Sequence, residues 1–163
     1  MQRKIIFLLC FLYSFTFYAQ PLNLKGMDSK ERNAYLVKKA KEVIMNFGPD
    51  YYREYKEPEI SDLKVFSDEN DPRQEIRNII GREYYSVIIP YDKNKEFLEW
   101  SYAAEVGIWA DDGEPMLVIF GCNRGINFFF RPYKEWVKAG IKDEEKVPYK
   151  SLPMQQHIKD STF

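Results

Sequence analysis

Histidine and glycine-rich loops are nearly absent from this sequence. Its 163 residues include one histidine, His157, which lies in a polar segment close to the C-terminus. A Ser-His-Asp triad or a multi-histidine zinc site therefore lacks the residues that it needs. The eight glycines are dispersed, and none belongs to a phosphate-binding loop. The sequence accordingly predicts no catalytic residue, no metal site and no cofactor.

The sequence also has no excess of positive or negative charge. The chain carries 24 Lys and Arg against 25 Asp and Glu, which gives a formal net charge of −1 at pH 7. A protein whose natural partner is a nucleic acid presents a concentrated basic face. We therefore expect no nucleic-acid partner.

The N-terminus has the pattern of a secretory signal. Arg3 and Lys4 precede residues 5–18, an uncharged apolar and aromatic run that ends at the small residue Ala19. We expect cleavage after Ala19, so that the mature chain begins at Gln20 and functions in the periplasm, at the cell surface or as a secreted protein.

Two alternatives for this leader are weaker. A membrane anchor needs about 20 apolar residues, whereas this run is shorter and contains Ser14 and Thr16. A lipoprotein would carry its lipid on Cys10, yet the large residues Leu8 and Leu9 precede this cysteine. The mature chain is therefore expected to contain no membrane span.

Cysteine is too scarce for a disulfide framework. Of the two cysteines, Cys10 leaves with the leader and Cys122 remains alone, so no internal disulfide can form. Cys122 follows an apolar run, which favours a buried small side chain. Intermolecular pairing or a reactive thiol is the alternative.

The first element after the leader is a predicted helix. Asp28 has the character of an N-cap with Glu31 three residues later, and Gly48 and Pro49 end the pattern. Between them, apolar residues recur at helical spacing and predict a helix over Ser29–Phe47 with one buried face: Leu36, Ala40, Val43, Ile44 and Phe47.

Short elements follow this helix. Residues 59–66 alternate imperfectly and predict an edge strand. Asp71 and Pro72 then predict the start of a second short helix, which Gly81 ends. A last short helix is expected over residues 132–140.

From residue 85 onward the apolar period changes from that of a helix to that of a strand. Tyr85, Val87 and Ile89 share one strand face, and residues 97–109 predict a long strand. Asp111-Asp112-Gly113 predicts a hairpin turn, after which residues 114–122 and 126–131 return as strands. The predicted core face of the long strand is Leu98, Trp100, Tyr102, Ala104, Val106 and Ile108.

These elements predict an α+β fold in which the N-terminal helix packs on a curved antiparallel sheet of about four to five strands. The order of elements resembles that of the cystatin-like and NTF2-like groups. We expect one domain over residues 20–140, followed by a charged, loosely held tail over residues 141–163. Such folds include enzymes, binding modules and inhibitors, so the fold alone assigns no function.

The aromatic content, 17% of the chain, is high for a single core. Trp109 is out of phase with the core face of its strand, and Phe97 shares its side. Three consecutive phenylalanines at residues 128–130 cannot all point inward. The sequence therefore predicts an exposed aromatic binding surface, or alternatively a second layer that covers these rings. The candidate binding residues are Trp109, Phe97, Glu105, Arg124, Phe129 and Arg131.

The resulting functional hypothesis is an exported, non-catalytic binding module that recognises a protein or cell-envelope component, an inhibitor or immunity-like protein being one variety. The alternative is a small secreted hydrolase that acts through carboxylates on a glycan or peptide. Glu99 and Glu105 share a face of the predicted strand, but six residues of strand separate them by roughly 20 Å. They are too distant for the pair of a glycosidase, whose carboxylates lie about 5 to 10 Å apart.

Overall fold

The computed structural model describes residues 22–68 and 70–152, and it shows an α+β fold. The expected signal peptide over residues 1–19 and the end of the expected tail, residues 153–163, lie outside these described residues. The helical elements include three α-helices and three short 3-10 turns: Leu24–Gly26, α1 (Ser29–Phe47), Pro49–Tyr51, α2 (Gln74–Arg77), α3 (Tyr133–Ala139) and Asp143–Glu145.

Helix α1 has the bounds that its sequence predicts. The Asp28 side chain caps its first turn by accepting the backbone N–H of Lys30 at 2.9 Å. At the other end the Gly48 N–H donates to the carbonyl of Ile44 at 2.8 Å. The predicted apolar face is fully buried, which confirms the 3.6-residue period.

The sheet is antiparallel throughout and has six strands in the order β1-β3-β4-β5-β6, with β2 also paired to β3. The edge strand predicted over residues 59–66 is divided into two strands of two residues each, β1 and β2, and both pair with β3. The strands are β1 (Glu59–Ile60), β2 (Lys64–Val65), β3 (Glu83–Ile89), β4 (Ala104–Trp109), β5 (Pro115–Phe120) and β6 (Arg124–Asn127).

The main core lies between α1 and one face of the sheet. Val87 on β3, Val106 on β4 and Val118 on β5 are directly paired neighbours in register and are fully buried. The strand alternation predicted for Tyr85, Val87 and Ile89 is therefore confirmed.

A second, smaller cluster covers the opposite face of the sheet near the turn between β4 and β5. The connection between β2 and β3 crosses this face and buries Ile76, Trp109 and Met116 to 5% exposure or less. Gly107 permits this packing, because a Cβ there would lie 2.6 Å from the Met116 Cγ. Both faces of the sheet thus carry aromatic and aliphatic cover.

The strand expected over residues 97–109 is about half as long in the structure as the sequence predicts. Strand β4 begins at Ala104, and residues 99–103 are a series of bends. Leu98 is buried, but Trp100 is 43% exposed. The expectation that Trp100 belongs to the core face of this strand is therefore wrong, because alternation cannot continue through a bent segment.

The described part of the segment after α3 packs against the rest of the fold and forms hydrogen bonds with it. Val147 is buried and its N–H donates to the carbonyl of Phe47 at 2.6 Å. The Tyr51 hydroxyl donates to the Pro148 carbonyl at 3.2 Å, and the Leu152 N–H donates to the Phe97 carbonyl at 2.7 Å. Within the described residues, the segment from Val147 to Leu152 therefore contacts the rest of the fold.

Cys122 is free and buried, as its apolar neighbours predict. Helix α2 is shorter than expected and begins after Arg73, whose N–H is accepted by the Asp71 side chain at 2.9 Å. Helix α3 lies within the range expected for it. Of the helices in the described residues, none combines the length and the apolar character needed to cross a membrane.

Candidate functional site

The six predicted binding residues do not form one surface. Trp109 and Phe129 lie at the end of the sheet where β4 turns into β5, and Arg131 follows Phe129 in the chain. Glu105 and Arg124 lie at the opposite end, beside the start of β4 and the end of β5. Phe97 lies next to this second end, where its carbonyl accepts the Leu152 N–H.

Trp109 is covered by the chain itself. Its ring is 5% exposed and packs edge-on against Phe66, with ring centroids 5.9 Å apart. The Phe129 ring lies 6.3 Å from it, and the Arg82 guanidinium lies over it at 4.2 Å. Of the two alternatives that the sequence leaves open, the covering layer is present, with Phe66 and Arg82 from the segment before β3 and Phe129 from the chain after β6.

The cavity beside Trp109, of about 310 Å³, is lined by charges that the chain already pairs. Arg82 forms an ion pair with Asp112 at 3.0 Å, and Lys134 forms one with Glu114 at 2.8 Å. Arg131 lies 3.8 Å from a Glu145 carboxylate oxygen. The charged side chains at this end of the sheet are therefore paired with one another, which makes it the weaker candidate for a ligand site.

The opposite end presents an exposed but restrained tryptophan. The Trp100 indole Nε1–H donates to the Asn123 side-chain oxygen at 3.2 Å. Its ring stacks on Tyr102, with an interplanar angle of 13° and centroids 5.9 Å apart. Trp100 nevertheless remains 43% exposed. We use the name Trp100 site for Trp100, Tyr102, Asn123, Arg124 and Lys150.

The turn after β5 places the acceptor for Trp100. Asn123 has a φ of 59°, in the left-handed region that asparagine adopts more readily than most residues. Its N–H donates to the Phe120 carbonyl at 3.0 Å, which closes the turn. Gly121 is needed beside it, because a Cβ there would lie 2.6 Å from the Tyr102 carbonyl oxygen. The bent segment and the turn thus pack closely because Gly121 has no side chain.

Tyr102 is itself fixed by a polar network on the outer face of the sheet. Burial, together with the hydrogen-bonded Glu105 carboxylate, raises the pKa of Tyr102 to about 12. Glu105 also accepts the Ser86 hydroxyl at 2.7 Å, and Lys64 donates to Ser86 at 3.3 Å. Glu105, a predicted binding residue, therefore contacts Tyr102, the tyrosine on which Trp100 stacks.

A cavity of about 180 Å³ is lined by Cys122, Arg124, Pro148 and Lys150. Two connections bring it to Trp100. Asn123, the hydrogen-bond acceptor of Trp100, lies between two lining residues in the chain. Glu99, next to Trp100 in the chain, lies 3.8 Å from Lys150.

Of the two cations that line this cavity, Arg124 is less compensated than the cations beside Trp109, whereas Lys150 has a carboxylate at the same 3.8 Å as Arg131. The Arg124 side chain forms no ion pair or hydrogen bond with any residue in the described ranges 22–68 and 70–152. Lys150 faces one carboxylate at a long distance. This end of the molecule therefore offers positive charge to a ligand.

Lys150 is positioned by the anchored segment that follows α3. Arg53 holds Glu96 with two hydrogen bonds of 2.6 Å, and the Tyr149 hydroxyl donates to the same carboxylate at 2.6 Å. The backbone N–H of Lys150 donates to the Tyr51 hydroxyl at 3.0 Å. The backbone that carries the second cation is thus fixed on both sides.

The carboxyl groups of the described residues whose pKa is shifted are all shifted downward. Wherever a carboxyl pKa departs from its ordinary value, cations or hydrogen-bond donors lower it, as at Glu42, Asp71, Asp92, Glu96, Asp111 and Asp143. A general acid needs the opposite shift. The described residues also include no group of three or more potential metal ligands.

The sequence missed the residue at the centre of this site. Trp100 alternates correctly with the core residues that follow it, so the local pattern contains no signal that the strand begins only at Ala104. Arg124, by contrast, was among the predicted binding residues.

Comparisons with known proteins add no family. No protein-family model matches the chain, and searches of curated proteins and of solved structures found no significant similarity. The geometry of the site is therefore the basis for the function proposed below.

Proposed function

We propose that this protein is an exported, non-catalytic binding module that recognises a protein or cell-envelope component through the Trp100 site. The observation that supports this proposal is an indole that is 43% exposed yet held by a hydrogen bond and by a stacked tyrosine. A rigid exposed ring loses little conformational freedom when it binds. Tryptophan, tyrosine and arginine are also the residue types that contribute most to binding energy.

Trp100 differs in this respect from Phe130, which is exposed to a similar extent. Phe130 is 45% exposed, and its ring contact is with the guanidinium of Arg73 at 4.5 Å. A phenylalanine has no polar atom to fix its orientation. The restraint on Trp100 favours a recognition role over incidental exposure.

Export is part of the proposal and is supported by the pattern of residues 1–19 alone. We also propose the cystatin-like or NTF2-like arrangement as the finer description of the fold, supported by α1 packed on one face of an antiparallel sheet. An inhibitor or immunity-like role is one variety of such a module.

The alternative hydrolase receives no specific support from the carboxylates near the site. Glu105 accepts the Ser86 hydroxyl at 2.7 Å, and Glu99 faces Lys150 at 3.8 Å. Both carboxylates are therefore already engaged by neighbouring side chains of the same chain.

The test is capture from the cell envelope of the source organism, with wild type, Trp100→Ala and Phe130→Ala as immobilised baits. Because the two substituted rings are about equally exposed, the pair controls for simple loss of apolar surface. We expect Trp100→Ala to retain at least tenfold less of the captured component, about 1.4 kcal/mol, and Phe130→Ala to retain the wild-type amount. Equal retention by both variants would contradict the proposal.

A further inference from the structure

We infer that the ligand of the Trp100 site is an acidic saccharide, whose sugar ring packs on Trp100 while its carboxylate enters the cavity between Arg124 and Lys150. This inference deepens the proposed function and depends on it. It rests on three features: an exposed restrained indole, a small cavity lined by both chain neighbours of the asparagine that restrains it, and two cations on the lining of that cavity.

The indole fits the sugar part of such a ligand. A pyranose ring has a face of C–H bonds that packs on the flat surface of an aromatic side chain, and its hydroxyls need polar groups around the edge. Glu99, Ser101, Asn123 and Arg124 are exposed around Trp100. The Asn123 oxygen is engaged with the indole, which leaves its amide N–H₂ to donate to a sugar hydroxyl.

The cavity fits the acidic part. Its volume of about 180 Å³ accommodates a carboxylate group with part of the ring that carries it. Arg124 offers the planar fork that binds a carboxylate with two parallel hydrogen bonds. Lys150 lies on the same wall and adds a second positive charge.

The surroundings favour a small glycan over a protein partner. A stable protein interface buries about 800 Å² on each side around an apolar centre. The exposed aliphatic side chains of the described residues lie on other elements, such as Met45 on α1, Val65 on β2 and Val137 on α3. One aromatic pair with a polar rim matches a ligand of a few sugar units.

The experiment uses the purified protein and three probes: a galacturonic acid tetramer, the same tetramer with its carboxyls converted to methyl esters, and inorganic phosphate. Calorimetry gives the Kd, and the Trp100 Nε1–H signal in a ¹H–¹⁵N spectrum reports contact at the site. Trp100→Ala and Arg124→Gln are the test variants. Phe130→Ala and Arg77→Gln are the matched controls, with circular dichroism to verify that each variant is folded.

We expect the acidic tetramer to shift the Trp100 signal and to bind at least tenfold more tightly than its methyl ester. Arg124→Gln should reduce binding of the acid to the level of the ester, and Trp100→Ala should abolish measurable binding of both. The two control variants should keep the wild-type Kd.

Three results would overturn the inference. Equal affinity for the acidic tetramer and its ester would show that Arg124 and Lys150 do not bind a carboxylate. A shift of the Trp100 signal with phosphate equal to that with the tetramer would mean that the site binds anions without recognising a sugar. If neither tetramer binds while Trp100→Ala still weakens capture from the envelope, the ligand is of another class and the proposed function stands. If Trp100→Ala has no effect on capture either, both proposals fail.

Discussion

Trp100 donates its indole N–H to the side chain of Asn123 across 3.2 Å, although the two residues are 23 positions apart in the chain. The donor lies in a bent segment before β4, and the acceptor lies in the turn after β5. Their hydrogen bond therefore depends on the pairing of these strands. It converts an exposed aromatic side chain into a fixed one.

Asn123→Gly tests this restraint. Glycine adopts the positive φ of this turn without strain, so we expect the free energy of unfolding to change by less than about 1 kcal/mol. The indole loses its acceptor, so its Nε1–H should exchange with solvent faster. Hydrogen exchange followed by NMR measures this, and an unchanged rate would mean that the hydrogen bond does not restrain the ring.

Trp109→Ala should be severely destabilising. The ring is 5% exposed and packs on Phe66, Tyr84 and Phe129, so its removal leaves a cavity that costs about 3 to 5 kcal/mol. Urea denaturation measures the loss. Trp100→Ala is the matched control and should cost less than about 1 kcal/mol, since its ring is already partly in water. Similar costs for the two variants would contradict the exposures assigned to them.

Gly121→Ala should disturb the Trp100 site through the backbone. The new Cβ would lie 2.5 Å from Leu98 Cδ1 and 2.6 Å from the Tyr102 carbonyl oxygen, and such overlap costs about 1 to 3 kcal/mol. We expect this loss in thermal or urea unfolding, together with a displaced Trp100 Nε1–H signal. Gly26→Ala serves as the control because its Cβ would meet nothing within 4 Å.

Glu96→Gln should weaken the attachment of the segment that carries Lys150. Burial opposes ionisation of Glu96, but hydrogen bonds from Arg53 and Tyr149 prevail and lower its pKa. A lowered folded pKa stabilises the protein above the unfolded value of about 4.3, and this stabilisation is lost as pH falls through the folded pKa. Wild type should therefore lose more stability on acidification than Glu96→Gln does.

The measurement for Glu96 is the free energy of urea unfolding between about pH 2 and pH 7. Glu54→Gln is the control, because its carboxylate pairs with Lys41 and remains 78% exposed. A surface pair of this kind contributes about 0 to 1 kcal/mol. If both variants show the same pH dependence as wild type, the Arg53–Glu96 pair does not stabilise the segment.

The secretory signal has a direct test. We expect the exported product to begin at or near Gln20, because Ala19 is the small residue that ends the apolar run. Intact mass spectrometry of protein recovered outside the cytoplasm measures this start. A mature product that retains residues 1–19 would contradict the prediction.

Local sequence was sufficient for the elements whose stabilisation is local. The capped amphipathic helix α1, the alternation in β3 and the apolar setting of Cys122 each depend on neighbours within a few residues. Backbone capping and side-chain period therefore determine these elements before any long-range contact forms. The α+β class and the antiparallel sheet follow from their order along the chain.

Only the tertiary structure decided which tryptophan is exposed. The sequence places Trp100 inside and Trp109 outside by continuing one strand period through residues 97–109, and the structure shows the reverse exposures. Trp109 is buried because a segment that starts some 40 residues earlier, at Phe66, crosses the sheet over it. Trp100 is exposed because the chain bends before β4 against a turn centred on Gly121 and Asn123. Neither the crossing nor the bend is encoded in the alternation of the strand, since both depend on packing between segments distant in sequence.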